Sequence, residues 1–136
     1  MFRASCFALS GLLFLSFLSA PLCDPAMAAS RAMHILDTDK DGTIDTNEAN
    51  AAASALFDQL DRDRDGTLTM RELHGRLNSH EFKMADTDHD GTLSKDEYLA
   101  LVADLFKRAD HDGEGTLDEH ELRSPAGRKL QKLLRR

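Results

Sequence analysis

The sequence predicts an all-α protein: four helix–loop–helix units in a row, joined by short shared helices. Three observations predict it. An acidic twelve-residue pattern occurs four times. Two of the three stretches between copies contain neither glycine nor proline. A phenylalanine stands four places before each of the last three copies, as Phe57, Phe82 and Phe106, which is about one helical turn.

The copies read DTDKDGTIDTNE from Asp37 to Glu48, DRDRDGTLTMRE from Asp61 to Glu72, DTDHDGTLSKDE from Asp86 to Glu97 and DHDGEGTLDEHE from Asp110 to Glu121. Their starts are 24, 25 and 24 residues apart. Carboxylates on alternate residues repel one another, so a folded chain needs something to offset them. A divalent cation does so, and a hard one such as calcium takes six to eight oxygens at about 2.3–2.6 Å. The sixth place is always glycine (Gly42, Gly66, Gly91, Gly115), which turns at positive φ at little cost.

These residues resemble the calcium loop of the EF-hand family, and the resemblance covers nearly all of residues 29–122. It implies Ca2+ as the bound ion and a ligand role for each loop place. Side chains at places 1, 3 and 5 are Asp37, Asp39 and Asp41; Asp61, Asp63 and Asp65; Asp86, Asp88 and Asp90; and Asp110, Asp112 and Glu114. Place 7 offers its backbone carbonyl and leaves its side chain free: Thr43, Thr67, Thr92 and Thr116. Place 9 acts through water, from Asp45, Thr69, Ser94 or Asp118. Place 12 closes the loop with both oxygens of Glu48, Glu72, Glu97 or Glu121. The resemblance also implies a short β-contact between loops at place 8, which is Ile44, Leu68, Leu93 or Leu117. The fourth loop departs from the pattern. Glu114 stands where the others have aspartate, and Gly113 before it is expected to loosen the loop.

Between the first two loops runs ANAAASALFDQL (Ala49–Leu60), and between the last two YLALVADLFKRA (Tyr98–Ala109). Each reads as one helix serving two loops. Leu56, Phe57 and Leu60 form one apolar face, and Leu101, Val102, Leu105 and Phe106 the other. A shared helix of about 15 residues is about 22 Å long and separates its two loops. Neighbouring loops on it cannot pair, and the expected arrangement sets loops one and three at one end, two and four at the other. The middle stretch LHGRLNSHEFKMA (Leu73–Ala85) differs: Gly75 and Asn78-Ser79 are expected to end one helix and cap another. Before the first loop, if cleavage follows Ala28, Ser30 is expected to cap a short helix with Met33 and Leu36 facing inward.

The ends carry separate signals. Arg3, a charge-free run from Cys6 to Leu18, Pro21, Pro25 and the small residues Ala26 to Ala29 (with Met27 among them) predict a secretory signal peptide over residues 1–28, cleaved after Ala28. A retained membrane anchor is the alternative. Both cysteines, Cys6 and Cys23, lie in this leader, so the exported chain is expected to be secreted or periplasmic and to be stabilised by metal rather than by a disulfide. At the other end, Ser124-Pro125-Ala126-Gly127 stops the last helix of the repeats, and residues 123–136 form a basic amphipathic tail. Its Leu130, Leu133 and Leu134 are expected to pack on the core with the charges turned to the acidic body. Contact with a membrane or a partner is the alternative.

Net charge is −7, and residues 29–122 hold ten basic against 23 acidic side chains. This argues against nucleic-acid binding. No nucleophile motif or phosphate-cradling loop is visible, and the carboxylates are committed to metal, so no enzyme is expected. The six histidines lack the spacing of a zinc site and are expected at the surface. Two roles fit calcium ions as the partner: a buffer or calcium-stabilised module, or a sensor that exposes an apolar face to a protein partner.

Overall fold

The computed structural model describes residues 25–135; the expected leader lies outside the described residues except for positions 25–28. Six helices and four two-residue strands follow in the order α1 (Pro25–Leu36), β1 (Ile44–Asp45), α2 (Thr46–Leu60), β2 (Thr67–Leu68), α3 (Ser79–Ala85), β3 (Leu93–Ser94), α4 (Lys95–Ala109), β4 (Thr116–Leu117), α5 (Glu119–Leu122) and α6 (Pro125–Leu134). Among the described residues no helix is long and apolar enough to cross a membrane.

The two shared helices form as expected, and for the same reason. On α2, Ala49, Ala53, Leu56, Phe57 and Leu60 are buried; on α4, Tyr98, Val102, Leu105, Phe106 and Ala109 are buried at identical spacing. Each set makes one apolar stripe, and the two stripes face each other. Phe57 and Tyr98 meet with ring centroids 5.7 Å apart and planes tilted by 58°. Phe82 is buried as well, so all three recurrent phenylalanines are core residues.

Loop pairing departs from the expected arrangement. β1 pairs antiparallel with β4, Ile44 opposite Leu117, and β2 with β3, Leu68 opposite Leu93. Loops one and four therefore share one end, and loops two and three the other, with α2 and α4 antiparallel. The premise that a shared helix keeps its own two loops apart holds. The error lies in the middle connection. Pairing one with three requires that connection to run the length of the molecule. Instead the exit from loop two makes a single turn, and His74 (φ 46°) and Gly75 (φ 72°) take left-handed conformations that reverse the chain. Asn78 then caps α3, accepting from the N–H groups of His80 and Glu81. At seven residues α3 is about 10 Å long, too short to cross the bundle.

In the uncleaved chain the first helix starts at Pro25. It buries Ala29 and Leu36 and half-buries Met33. At the other end, Ser124 caps α6 and Pro125 opens it, where a missing N–H is harmless. Leu130, Leu133 and Leu134 are buried against α4, and Arg128, Lys129, Lys132 and Arg135 are exposed. α6 thus completes the same core as the repeats. Its last carbonyls are met from the body: Tyr98 Oη donates to Leu133 O at 3.4 Å, and Arg76 Nη2 donates to Arg135 O at 2.8 Å. Its first turn lies close on α5, so that a Cβ at Gly127 would run into the backbone of Glu121 and Leu122.

Gly127→Ala is expected to destabilise the fold by about 1–3 kcal/mol, since the obstacle is backbone and cannot rotate aside; denaturant unfolding measures it. Burial pushes the Tyr98 hydroxyl up from 10.0 to about 12. A raised folded-state pKa means that stability is complete below the unfolded value and falls as pH rises through the folded one. Unfolding should therefore become easier from pH 10.0 towards about pH 12. Tyr98→Phe should remove that part of the alkaline slope in melts followed by circular dichroism.

Candidate metal centres

Each acidic loop follows a helix end and leads into a helix or, in loop two, a turn. Its first aspartate ends the incoming helix: the N–H groups of Asp37, Asp61, Asp86 and Asp110 donate to the carbonyls of Met33, Phe57, Phe82 and Phe106. Its ninth residue caps the outgoing turn or helix. Asp45, Ser94 and Asp118 are the N-caps of α2, α4 and α5, and each forms a reciprocal capping box with the place-12 glutamate three residues on. Thr69 and Glu72 exchange the same bonds in loop two, although only a turn comes after it. Place 9 thus has a structural task that was not expected from the sequence. Glutamate at the third position also lies where a helix N-terminus favours negative charge.

The capping boxes bring the acids together. One carboxylate oxygen from each of Asp37, Asp39 and Glu48 lies within 4.8 Å of the others. The same holds for Asp61, Asp63 and Glu72; for Asp86, Asp88 and Glu97; and for Asp110, Asp112 and Glu121. Two oxygens on opposite sides of a calcium ion stand about 4.6–5.2 Å apart, twice the ligand distance, so the groups fit that ion. In loop two, Asp61 Oδ1 is buried without a hydrogen-bond partner, as an acceptor reserved for a cation would be.

Places 5 and 7 join each other instead of the triads. The hydroxyls of Thr43, Thr67 and Thr92 donate to Oδ1 of Asp41, Asp65 and Asp90 at 2.7–2.8 Å. The place-7 side chain is therefore not free in those loops. Among the described residues no such bond joins Glu114 to Thr116 in loop four. Place 4 also obeys a rule that was not anticipated. Lys40, Arg64 and His89 stand there at φ 62°, 60° and 60°, in the left-handed region. Gly113 adopts the same conformation at φ 73°. Glycine at that position relieves strain that the other loops carry.

Electrostatics separate the ligand places. Glu97 is held down at about 2 by the Thr87 hydroxyl, the Ser94 N–H and the Thr87 N–H. Glu48 is desolvated, which opposes ionisation, but the hydroxyl and N–H of Thr38 outweigh this and its pKa is lowered. The N–H and hydroxyl of Thr69 lower that of Glu72. The exposed place-3 acids go the other way. Desolvation and the charges of Asp65 and Glu72 raise Asp63. At Asp39 the Asp41 N–H pulls down, but desolvation and the charges of Asp41, Glu48 and Asp37 win and the pKa is raised. Loops one and two thus hold a fixed, ionised glutamate beside an aspartate under repulsion, which is a site that favours a cation.

All six histidines are exposed, and among the described residues none joins a metal-competent group. No curated protein matches the chain. The family model described as EF hand matches it four times, over residues 31–48, 54–75, 77–103 and 101–124, one match for each acidic loop. With more than half of its length matched in this way, and with four loops of this geometry, the chain belongs to the EF-hand family, whose domains bind calcium.

Proposed function

We propose that the protein is exported and binds one calcium ion in each loop, acting as a calcium buffer or as a module that calcium holds together. The observation that carries this reading is the fourfold convergence of the carboxylates at places 1, 3 and 12. In loop one the ion would be held by Asp37, Asp39, Asp41, the carbonyl of Thr43, Asp45 through water and both oxygens of Glu48. In loop two the set is Asp61, Asp63, Asp65, Thr67, Thr69 and Glu72, and in loop three Asp86, Asp88, Asp90, Thr92, Ser94 and Glu97. In loop four it is Asp110, Asp112, Glu114, Thr116, Asp118 and Glu121. The bound ion supplies positive charge, which offsets repulsion among acids that outnumber bases 23 to ten over residues 29–122. The apolar leader and the absence of cysteine beyond it support export to a compartment rich in calcium, where affinities of about 10⁻⁴–10⁻³ M suffice.

A second reading, a calcium sensor, has one observation in its favour. Met84 is 70 % exposed on the rim of a groove between α3, α4 and α6, floored by Leu77, Leu101 and Leu105. Binding of an apolar dye separates the two readings. A rise when calcium is added favours the sensor; a fall, as a loosened core closes, favours the structural role.

Calorimetric titration should show heat at or below millimolar calcium, with a parallel gain in helicity, and Glu97→Gln should remove about one site's share of that heat. Neither heat nor a helicity change at millimolar calcium would overturn the reading. Chelation should lower the melting temperature, because an ion that binds only the folded chain stabilises it by mass action; equal melting temperatures with and without calcium would contradict the structural role.

A further inference from the structure

The four place-12 glutamates are not held alike. Glu48 Oε1 accepts from both the N–H and the hydroxyl of Thr38, at 2.6 and 2.7 Å. Glu97 Oε1 accepts in the same way from Thr87, at 2.8 and 2.7 Å. In loop two the matching residue is Arg62, whose N–H reaches Glu72 Oε1 at 3.2 Å. In loop four it is His111, whose N–H donates to Glu121 Oε1 at 2.8 Å while its ring lies against the carbonyl of Ala109. Place 2 therefore gives a second, side-chain donor in loops one and three only. The β-bridges distribute these two kinds of loop evenly: each end of the molecule joins a loop with threonine to one without, one to four and three to two.

We infer that Thr38 and Thr87 are positioning residues that make loops one and three the leading calcium sites, one at each end, with loops four and two filling after them. This rests on the calcium reading above and deepens it. A glutamate side chain loses considerable rotational freedom when it is fixed. The hydroxyl removes part of that freedom before the cation arrives. It does not block the site, since each carboxylate oxygen has two lone-pair positions and can accept from threonine while facing the ion. Filling a leading loop fixes its strand, and the partner strand is bonded to it through Ile44 and Leu117 or through Leu68 and Leu93. The second loop of each pair is then ordered from its neighbour rather than by its own place-2 side chain.

The loop glycines report each site separately. The N–H groups of Gly42, Gly66, Gly91 and Gly115 each donate to the first aspartate of their own loop. In a calcium titration of ¹⁵N-labelled protein, the Gly42 and Gly91 amides should reach their midpoints at lower calcium than those of Gly115 and Gly66. Thr38→Val and Thr87→Val should raise the midpoints of Gly42 and Gly91 by about three- to tenfold, the net value of one exposed hydrogen bond after solvent exchange. Thr38→Ser and Thr87→Ser should restore them. Both threonines are exposed, and amide dispersion in the same spectra confirms that each variant is folded. Movement of all four amides together, or of Gly66 and Gly115 first, overturns the inference, as does a valine variant that leaves its midpoint unchanged or lowers it. No movement of any loop glycine at millimolar calcium overturns the calcium reading itself.

Discussion

The structure depends on one carboxylate per repeat serving two purposes. The glutamate at the twelfth place closes a ring of acids, and its other bonds cap the turn or helix that leads into the next part of the chain. A helix start needs acceptors for its free N–H groups, and a cation needs oxygens. Both demands fall on the same side chain, so the loop cannot lose its shape without uncapping the segment it leads into. This is why four acidic loops can be placed along little more than 80 residues, each only a single helix or a broken connection from the next.

The core is arranged around that constraint. α2 and α4 each begin at one capping box and end at the first aspartate of another loop, so their length is set by the loops at both ends. Their apolar stripes can meet only side by side, and the place-8 residues close each end of the pair. α6 then covers the pair. It touches α5 through Gly127, and Tyr98 and Arg76 tie its last carbonyls to the segments that leave loops three and two. The basic outer face of α6 faces solvent over an acidic body, and Lys129 reaches Glu81 at 2.7 Å; an exposed pair of this kind contributes little to stability.

Much of this was legible in the residues because it rests on local chemistry. Alternating aspartates, a turn glycine and a closing glutamate identify each loop by themselves, and uninterrupted apolar spacing identifies α2 and α4. The pairing of loops was not legible. It turns on His74 and Gly75 both taking left-handed conformations and reversing the chain, which no hydrophobic pattern signals. Only the backbone shows that place 4 is left-handed in every loop, which gives Gly113 its fit there. The threonine hydroxyls at places 2 and 7 depend on contacts with side chains two to ten residues away, which no periodicity reveals.

The nested order of the bridges has a consequence for how the molecule is divided. Exchange the half containing α2 with the half containing α4, and the pattern of contacts between loops is unchanged: one–four becomes three–two. The body therefore has the topology of a twofold dimer drawn on a single chain, each half presenting a surface complementary to the other. α6 has no counterpart in the first half and marks which half is which, so a molecule otherwise indifferent to direction is given a front and a back.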